Sequence, residues 1–190
     1  MKNADYRALI LVSTIIAGII VDPHTGECFP AKHQAMITEA EHDMINSKKI
    51  EKFIDKQKVS FICSIDNENY PNIRAMLKPR KRIGLKEFYF STNTSSLKVK
   101  QYRENPNASI YFCHKGIIKY IGVMLKGKMK ILTDQETKNL LWQKGDKIFY
   151  KKGATDPDYC VLKFTATSGR YYSDLKTENF DVDNLIIRQL

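Results

Sequence analysis

The feature that most constrains the fold is a series of short runs rich in β-branched and aromatic residues. In chain order they are KVSFICSI, NIRAMLK, EFYFST, ASIYFCHK, KYIGVMLKGKMKIL, DYCVLKFTAT and GRYYSD. Turn residues or short helical segments separate them, so that neighbouring runs can pair as hairpins. Long helices do not alternate with the strands, which argues against a parallel βαβ sheet. The pattern predicts a mainly β protein of the α+β class, built on an antiparallel barrel or sandwich.

Three helical segments interrupt these runs. The sequences TEAE (Thr38–Glu41) and TDQE (Thr133–Glu136) are capping boxes, each of which predicts a helix start. The apolar phase of the first helix slips near NSKK, which predicts a break or two short helices. The segment SLKVKQYREN predicts the remaining helix, with Thr94 or Ser95 as its N-cap and with its end before Pro106.

The N-terminal segment differs in character from the rest of the chain. Its apolar run Ala8–Val21 is shorter than the about 20 residues of a membrane-spanning helix. The turn-rich stretch that follows offers no signal-peptide cleavage site, so we interpret the segment as one or two strands with a turn at DPHTGE. We predict an N-terminal extension over 1–35, a main domain over 36–175 and a C-terminal tail over 176–190.

The spacing of cysteine and histidine residues indicates whether the chain can form a metal site or disulfides. Neither residue type shows a metal-ligand spacing, so we expect no metal site. Three of the four cysteines lie in apolar strand-like runs, which is typical of buried thiols in a reducing compartment. We therefore expect a cytoplasmic protein that makes no use of a membrane. The cysteines are Cys28, Cys63, Cys113 and Cys160.

The chain is basic, with a formal net charge of +10 and a pI near 9.4. Such a charge suits nucleic acid, an anionic cofactor or an acidic membrane surface. Barrels that bind nucleic acid interleave aromatic with basic residues, whereas KYIGVMLKGKMK offers lysines with little aromatic interleaving. We therefore rank nucleic acid behind a small anionic ligand and expect no nucleic-acid partner.

A six-residue polar elbow, Ser91–Ser96, lies between a strand and a helix start. Free amides at a helix N-terminus, several hydroxyls and the Lys98 charge together suit a phosphate monoester. The alternative is an ordinary capped helix start. In the nearby run KPRKR we interpret Lys81 and Arg82 as solvated loop residues. Arg74 lies inside the strand NIRAML, where it must face solvent or have a partner.

Several of these segments together resemble a known family. NIRAMLK, FYFSTNTSSLK, NPNASIYF and GVMLKGKMKIL resemble the pyridoxamine 5′-phosphate oxidase-like family of FMN-binding split barrels. TDPDYCVLKFTATSGRYYSD is similar to the C-terminal part of its general-stress-protein and flavin-reductase-like bacterial branch. The resemblance covers about 36–174. It implies a six-stranded antiparallel split β-barrel with short flanking helices, and a homodimer with FMN at its interface.

The resemblance also implies a set of cofactor-binding residues. Arg74 would hold the phosphate, and the three residues after it would contact the flavin ring. Leu97 departs from the family pattern, because an arginine is expected there, and this predicts weaker FMN binding. The implied set is Arg74, Ala75, Met76, Leu77, Ser91, Thr92, Ser96, Leu97 and Lys98.

The positions that bind the substrate in the family's oxidases differ more strongly in this chain. Gly122 and Met124 stand where its oxidases carry polar residues, and only Arg170 resembles part of their C-terminal cluster. Pyridoxamine phosphate is therefore not the expected substrate. We expect an FMN-dependent oxidoreductase that takes electrons from a nicotinamide donor to a small acceptor, with no separate catalytic residue identified.

Alternatives to this enzyme are a non-catalytic flavin-binding stress protein and, ranked lower, a basic nucleic-acid-binding β-barrel. A heme-binding split barrel is a further alternative, for which no histidine is suitably placed. Four aromatic residues are candidate pocket walls, although core packing is favoured for each: Trp142, Tyr150, Tyr171 and Tyr172.

Overall fold

The structure is a computed structural model that describes residues 47–116, 120–173 and 175–183, together with the backbone of 20–21 and 28–29. The chain divides into two compact units, Met1–Ile45 and Asn46–Leu190. In the first unit, strands β1 (Ile20–Val21) and β2 (Cys28–Phe29) pair antiparallel, as predicted for strands on either side of DPHTGE. The rest of the predicted N-terminal extension and the first capping box lie outside the described residues.

The second unit contains three helices and eight strands among the described residues, with two short 3-10 turns. The helices are α1 (47–55), α2 (Leu97–Glu104) and α3 (Gln135–Leu141). The strands are β3 (Val59–Ile65), β4 (Pro71–Leu77), β5 (Lys81–Ile83), β6 (Glu87–Asn93), β7 (Asn107–Lys115), β8 (Tyr120–Leu132), β9 (Tyr159–Ser173) and β10 (Lys176–Asp181). The 3-10 turns are Lys144–Ile148 and Gly153–Thr155.

All eight strands form one antiparallel sheet, in the order β4-β3-β7-β8-β9-β6-β5, with β10 paired to the second half of β9. The fold class, an antiparallel split barrel, is confirmed. The sheet has eight strands instead of six because the short β5 and β10 add to the six longer ones, and it does not close. β10 lies within the predicted C-terminal tail, 176–190. The runs DYCVLKFTAT and GRYYSD form a single strand, β9.

Alternation along the strands places the core inside the curved sheet. In β6, Phe88, Phe90 and Thr92 are buried while the residues between them are half-buried. A second, smaller apolar cluster contains Tyr150, and Trp142 packs against it. Core packing is therefore correct for Tyr171, which is buried in the main core, whereas Tyr150 lies in this second cluster and also lines the cavity described below.

The two predicted helix caps that lie within the described residues need a correction of one or two residues. The N-cap of α3 is Asp134, not Thr133, and its carboxylate accepts a hydrogen bond of 2.8 Å from the Thr137 amide. The N-cap of α2 is Ser96, whose hydroxyl donates to the Asn93 carbonyl at 2.7 Å. A turn after Asn93 delays the start of α2, so neither Thr94 nor Ser95 caps it.

The interpretation of Arg82 as a solvated residue is wrong. Its guanidinium donates to both Asp55 oxygens, at 2.7 and 2.6 Å, and to Glu51 at 3.0 Å. These two carboxylates lie on α1, so that Arg82 joins this helix to β5. Lys81 is exposed, as expected. The sequence could not identify this role because the partners of Arg82 are distant in the chain.

The described residues include no helix that is long and apolar enough to span a bilayer.

Candidate functional site

A cavity of about 280 Å³ opens between β4, β6, the start of α2 and the 3-10 turn Lys144–Ile148. Its wall contains six of the predicted cofactor-binding residues, which come from three separate segments of the chain. They are Ala75, Met76, Leu77, Ser91, Thr92 and Lys98. The fold therefore brings most of the predicted set to one place.

β4 contributes its last residues to this cavity because it ends the sheet. Within the described chain its only strand partner is β3, so that one side of its backbone is free of ladder pairing. Met76 is half-buried against the core, while Ala75 and Leu77 are exposed on the opposite face. A free strand edge with small and aliphatic side chains can accept a planar ring against its backbone.

Two cations lie near each other beside this cavity. Arg74 donates to the Ser64 hydroxyl at 2.9 Å and to the Gln101 amide oxygen at 3.2 Å. Half-buried Lys98 lies close enough to Arg74 to be affected by its charge. Burial lowers the pKa of Lys98, and the nearby guanidinium lowers this pKa further. Neither cation forms an ion pair within the described part of the chain, so the positive charge here is uncompensated.

Most of the polar elbow is already occupied by contacts within the protein. The Asp158 carboxylate accepts hydrogen bonds from the Asn93 amide at 2.8 Å and from the Ser95 backbone N–H at 2.7 Å. The side-chain bond to Asn93 and then the bond to Ser95 lower the pKa of Asp158. Ser91 bonds the Tyr159 hydroxyl at 3.2 Å. The amides before the helix start therefore bind the carboxylate of Asp158. Asp158 lies 63 residues from Ser95 in the chain, so the elbow sequence could not predict this contact.

One hydroxyl of the elbow stays unsatisfied. Thr94 Oγ1 is buried near the Cys160 thiol but makes no hydrogen bond of normal length and angle among the described residues. A buried polar atom without a partner costs about 1–3 kcal/mol and calls for an explanation. This hydroxyl does not line the cavity, so Arg74 and Lys98 are the charged donors beside it.

Three residues of the predicted set do not line the cavity. Arg74 lies behind it, held by Ser64 and Gln101. The Ser96 hydroxyl is turned back to the Asn93 carbonyl. Leu97 is 63% exposed on the surface of α2.

The sequence also missed several wall residues. Arg80, from the run KPRKR, bonds to buried Asp146 and to Gln143, and this network fixes the 3-10 turn against β4. Phe149 is 69% exposed at the mouth, and Tyr150 lines the interior. Burial raises the pKa of Tyr150. No local spacing connects Arg80 to Asp146, so only the aromatic candidate Tyr150 was accessible from the sequence.

Within the described residues, no group of three or more His, Cys, Asp or Glu side chains could hold a metal ion. The cavity thus lies beside two cations, Arg74 and Lys98, and along the free edge of β4.

Comparison with known proteins agrees with this architecture. The sequence model of the family described as "Pyridoxamine 5′-phosphate oxidase" matches residues 47–173. Among proteins with curated descriptions, none matches this chain. A solved structure from Clostridium acetobutylicum, a protein related to general stress protein 26 of B. subtilis, is 36% identical, covering 75% of this chain and 98% of its own, with a TM-score of 0.67.

Two further solved structures share the fold at lower identity. General stress protein 26 from Bacillus anthracis is 20% identical over 70% of this chain and 98% of its own, with a TM-score of 0.57. A heme binding protein from Mycobacterium smegmatis is 12% identical over 78% of this chain and 60% of its own, with a TM-score of 0.59. From the family match and the 36% identical relative, the chain belongs to the pyridoxamine 5′-phosphate oxidase family.

Proposed function

We propose that the protein binds FMN in the cavity between β4 and β6 and is an FMN-dependent oxidoreductase. The observation that carries the proposal is the uncompensated charge of Arg74 and Lys98 beside this cavity. A phosphate monoester carries close to two negative charges, which would balance these two cations. Family membership supports a flavin as the group that bears this phosphate.

Each part of the site has a role in this proposal. Arg74 and Lys98 hold the phosphate, and the exposed edge of β4 from Ala75 to Leu77 positions the ring system. The apolar and aromatic wall residues Phe90 and Tyr150 keep water from the inner side. Bound FMN supplies two-electron chemistry between a reduced nicotinamide and a small acceptor.

Pyridoxamine phosphate is not the proposed substrate. The Tyr111 hydroxyl lies where a side chain at position 122 would begin, and it bonds the Tyr120 hydroxyl at 2.7 Å. Met124 offers only its thioether sulfur, which lies 3.9 Å from the Arg170 guanidinium. The chain thus places apolar and phenolic groups where the family's oxidases carry polar ones.

We also propose that the protein is a homodimer in which a second copy covers the mouth of the site. Four apolar side chains on β3 and β4 are 36–69% exposed: Val59, Phe61, Ile73 and Leu77. Val59 and Leu77 are direct cross-strand partners, and Leu77 also lines the cavity. An exposed apolar face that continues into a binding site is typical of an interface. A cytoplasmic location remains a prediction.

The same site supports two other functions less well. A flavin protein without turnover would use the same phosphate contacts and would differ only in activity. A heme protein is suggested by one structural relative, but the one histidine in the described residues, His114, is exposed and does not line the cavity. The paired cations favour a phosphorylated cofactor over heme.

A steady-state assay tests the enzymatic part of the proposal. Protein reconstituted with FMN should oxidise NADH or NADPH with a small acceptor such as a quinone or a nitroaromatic compound, while protein without flavin should not. Pyridoxamine phosphate should not be turned over. Turnover of pyridoxamine phosphate at an ordinary enzymatic rate of about 10 s⁻¹ would contradict the assignment. Tight FMN binding with no donor oxidation would favour the non-catalytic flavin protein.

A further inference from the structure

A second cavity, of about 620 Å³, adjoins the first. It lies between the end of α1, the start of β3 and the segment that joins β4 to β5. Leu77, Lys78 and Arg80 line both cavities, so that the two share a wall along this segment. A ligand seated in the first cavity could therefore contact a second molecule that extends into the other.

The second cavity carries three lysines that form no ion pair within the described part of the chain: Lys58, Lys78 and Lys81. The Lys78 amide donates to the Lys58 carbonyl at 3.0 Å, which extends the β3–β4 ladder and sets these two lysines opposite each other. Like charges in directly opposed positions destabilise a sheet. Both lysines are exposed, so solvent screens much of this repulsion, and an anion between them would remove the rest.

The carboxylates near these lysines are already engaged elsewhere. Asp55 is bonded through both oxygens to Arg82, and Asp146 is bonded to Arg80. The Lys78 charge contributes to the low pKa of Asp55, after the larger effect of Arg82. The excess charge in the cavity is therefore positive.

On the β5 side, Glu87 is bonded to Lys163 and to the Tyr89 hydroxyl. The hydrogen bonds from Lys163 and Tyr89 lower the pKa of Glu87, and the Lys81 charge has a smaller effect in the same direction. Lys81 is thus also left without a carboxylate of its own.

The remaining wall combines apolar surface with side-chain amides, which a nucleoside base can contact. Ile54 and Pro79 provide apolar surface that is buried or half-buried, and Leu77 adds an exposed aliphatic side chain. Gln57 and Gln143 bring side-chain amides to the same cavity. The volume lies within the range of about 300–1,000 Å³ that is typical of small-molecule sites.

We propose that this second cavity binds the adenosine phosphate half of the dinucleotide electron donor, with Lys58, Lys78 and Lys81 around its phosphates. Three lysines exceed the need of a pyrophosphate alone, so the site favours a donor that bears an additional phosphate on the adenosine ribose, and NADPH is preferred to NADH. This assignment rests on the proposed function, because the wall shared with the first cavity is what places the nicotinamide half beside the flavin.

Direct binding of adenosine 2′,5′-bisphosphate, measured by isothermal titration calorimetry on the full chain, tests the assignment without flavin or turnover. The wild-type protein should bind it, and Lys58→Gln and Lys81→Gln should each weaken binding about five- to tenfold. Lys176→Gln is the matched control, since Lys176 is exposed on β10 and lines neither cavity. FMN affinity, measured in parallel, should change less than about twofold in all three variants.

The outcomes separate the two proposals. If the wild-type protein binds FMN normally but does not bind the nucleotide, only the assignment of the second cavity is overturned. Normal nucleotide binding in a protein that does not bind FMN overturns the proposed function and leaves the nucleotide site standing. Equal affinity for tripolyphosphate and for the nucleotide would mean a non-specific basic cavity and would overturn the assignment, as would unchanged nucleotide affinity in both lysine variants.

Discussion

Lys98 lies half-buried beside Arg74, and the Arg74 charge adds to the burial that lowers the Lys98 pKa below its ordinary value of 10.5. The two cations come from different elements, the edge strand β4 and the first turn of α2. The protein therefore holds together two like charges that repel each other when no anion is bound. Such an arrangement is typical of binding sites, where perturbed groups serve a ligand and not the fold.

The first prediction concerns stability without flavin. A lysine whose pKa is lowered by folding is disfavoured in its charged form, so its contribution to stability rises with pH from the lowered folded pKa up to 10.5. At neutral pH, Lys98→Met should raise the Tm of the flavin-free protein by about 1–4 °C. The exposed residue Lys100 on the same helix provides the control, and Lys100→Met should leave Tm unchanged. A lower Tm for Lys98→Met would show that the lysine is structural.

The second prediction concerns the link between α1 and β5. Arg82→Ala removes the bonds to Asp55 and Glu51 and leaves two carboxylates without their partner. Because these groups are partly exposed, the loss in the free energy of unfolding should be about 1–2 kcal/mol. Urea denaturation followed by circular dichroism measures it. Lys81→Ala, one residue away and exposed, should cost less than about 0.5 kcal/mol, and equal losses in the two variants would refute the link.

The third prediction concerns the β-bulge of β8 at Lys126 and Gly127. A Cβ at position 127 would overlap the Thr165 carbonyl and crowd the backbone of Ala166. Because backbone atoms cannot move aside cheaply, Gly127→Ala should destabilise the protein by more than about 2 kcal/mol. Gly145→Ala, where nothing lies within 4 Å, should be nearly neutral. Thermal unfolding of both variants measures the difference. A Tm for Gly127→Ala within about 1–2 °C of the wild-type value would contradict the steric argument.

The accuracy of sequence reasoning depended on the range of each interaction. Strand alternation in EFYFST is a local pattern, and the segments of β4 and β6 that the family resemblance implied meet at one cavity. The roles of Arg82 and Asp158 were not accessible, because their partners lie tens of residues away. The short strands β5 and β10 were missed since their polar sequences show no alternation and they are held by pairing with neighbours.

The fourth prediction concerns the stability of the folded protein at acid pH. Hydrogen bonds or ion pairs in the folded state lower the pKa of five carboxyls: Asp55, Asp66, Glu87, Asp134 and Asp158. Groups with a depressed folded pKa contribute stability that is present above their unfolded values, 3.8 for Asp and 4.5 for Glu, and that is lost as pH falls through the folded values. The urea midpoint should therefore be flat from neutral pH to about 5 and should decline below about 4.5. In Asp158→Asn the decline should be shallower, whereas a midpoint that rises on acidification would contradict these assignments.

Titration of the flavin-free protein with FMN and with riboflavin, followed by flavin fluorescence, tests the central claim most directly. If the Arg74 and Lys98 cations hold the phosphate, FMN should bind with a Kd of about 1 μM and riboflavin at least about a hundredfold more weakly. Lys98→Ala and Arg74→Ala should each weaken FMN about ten- to a hundredfold, while Lys100→Ala should leave it unchanged. Equal affinity for FMN and riboflavin, or wild-type FMN affinity in Lys98→Ala, would contradict the account.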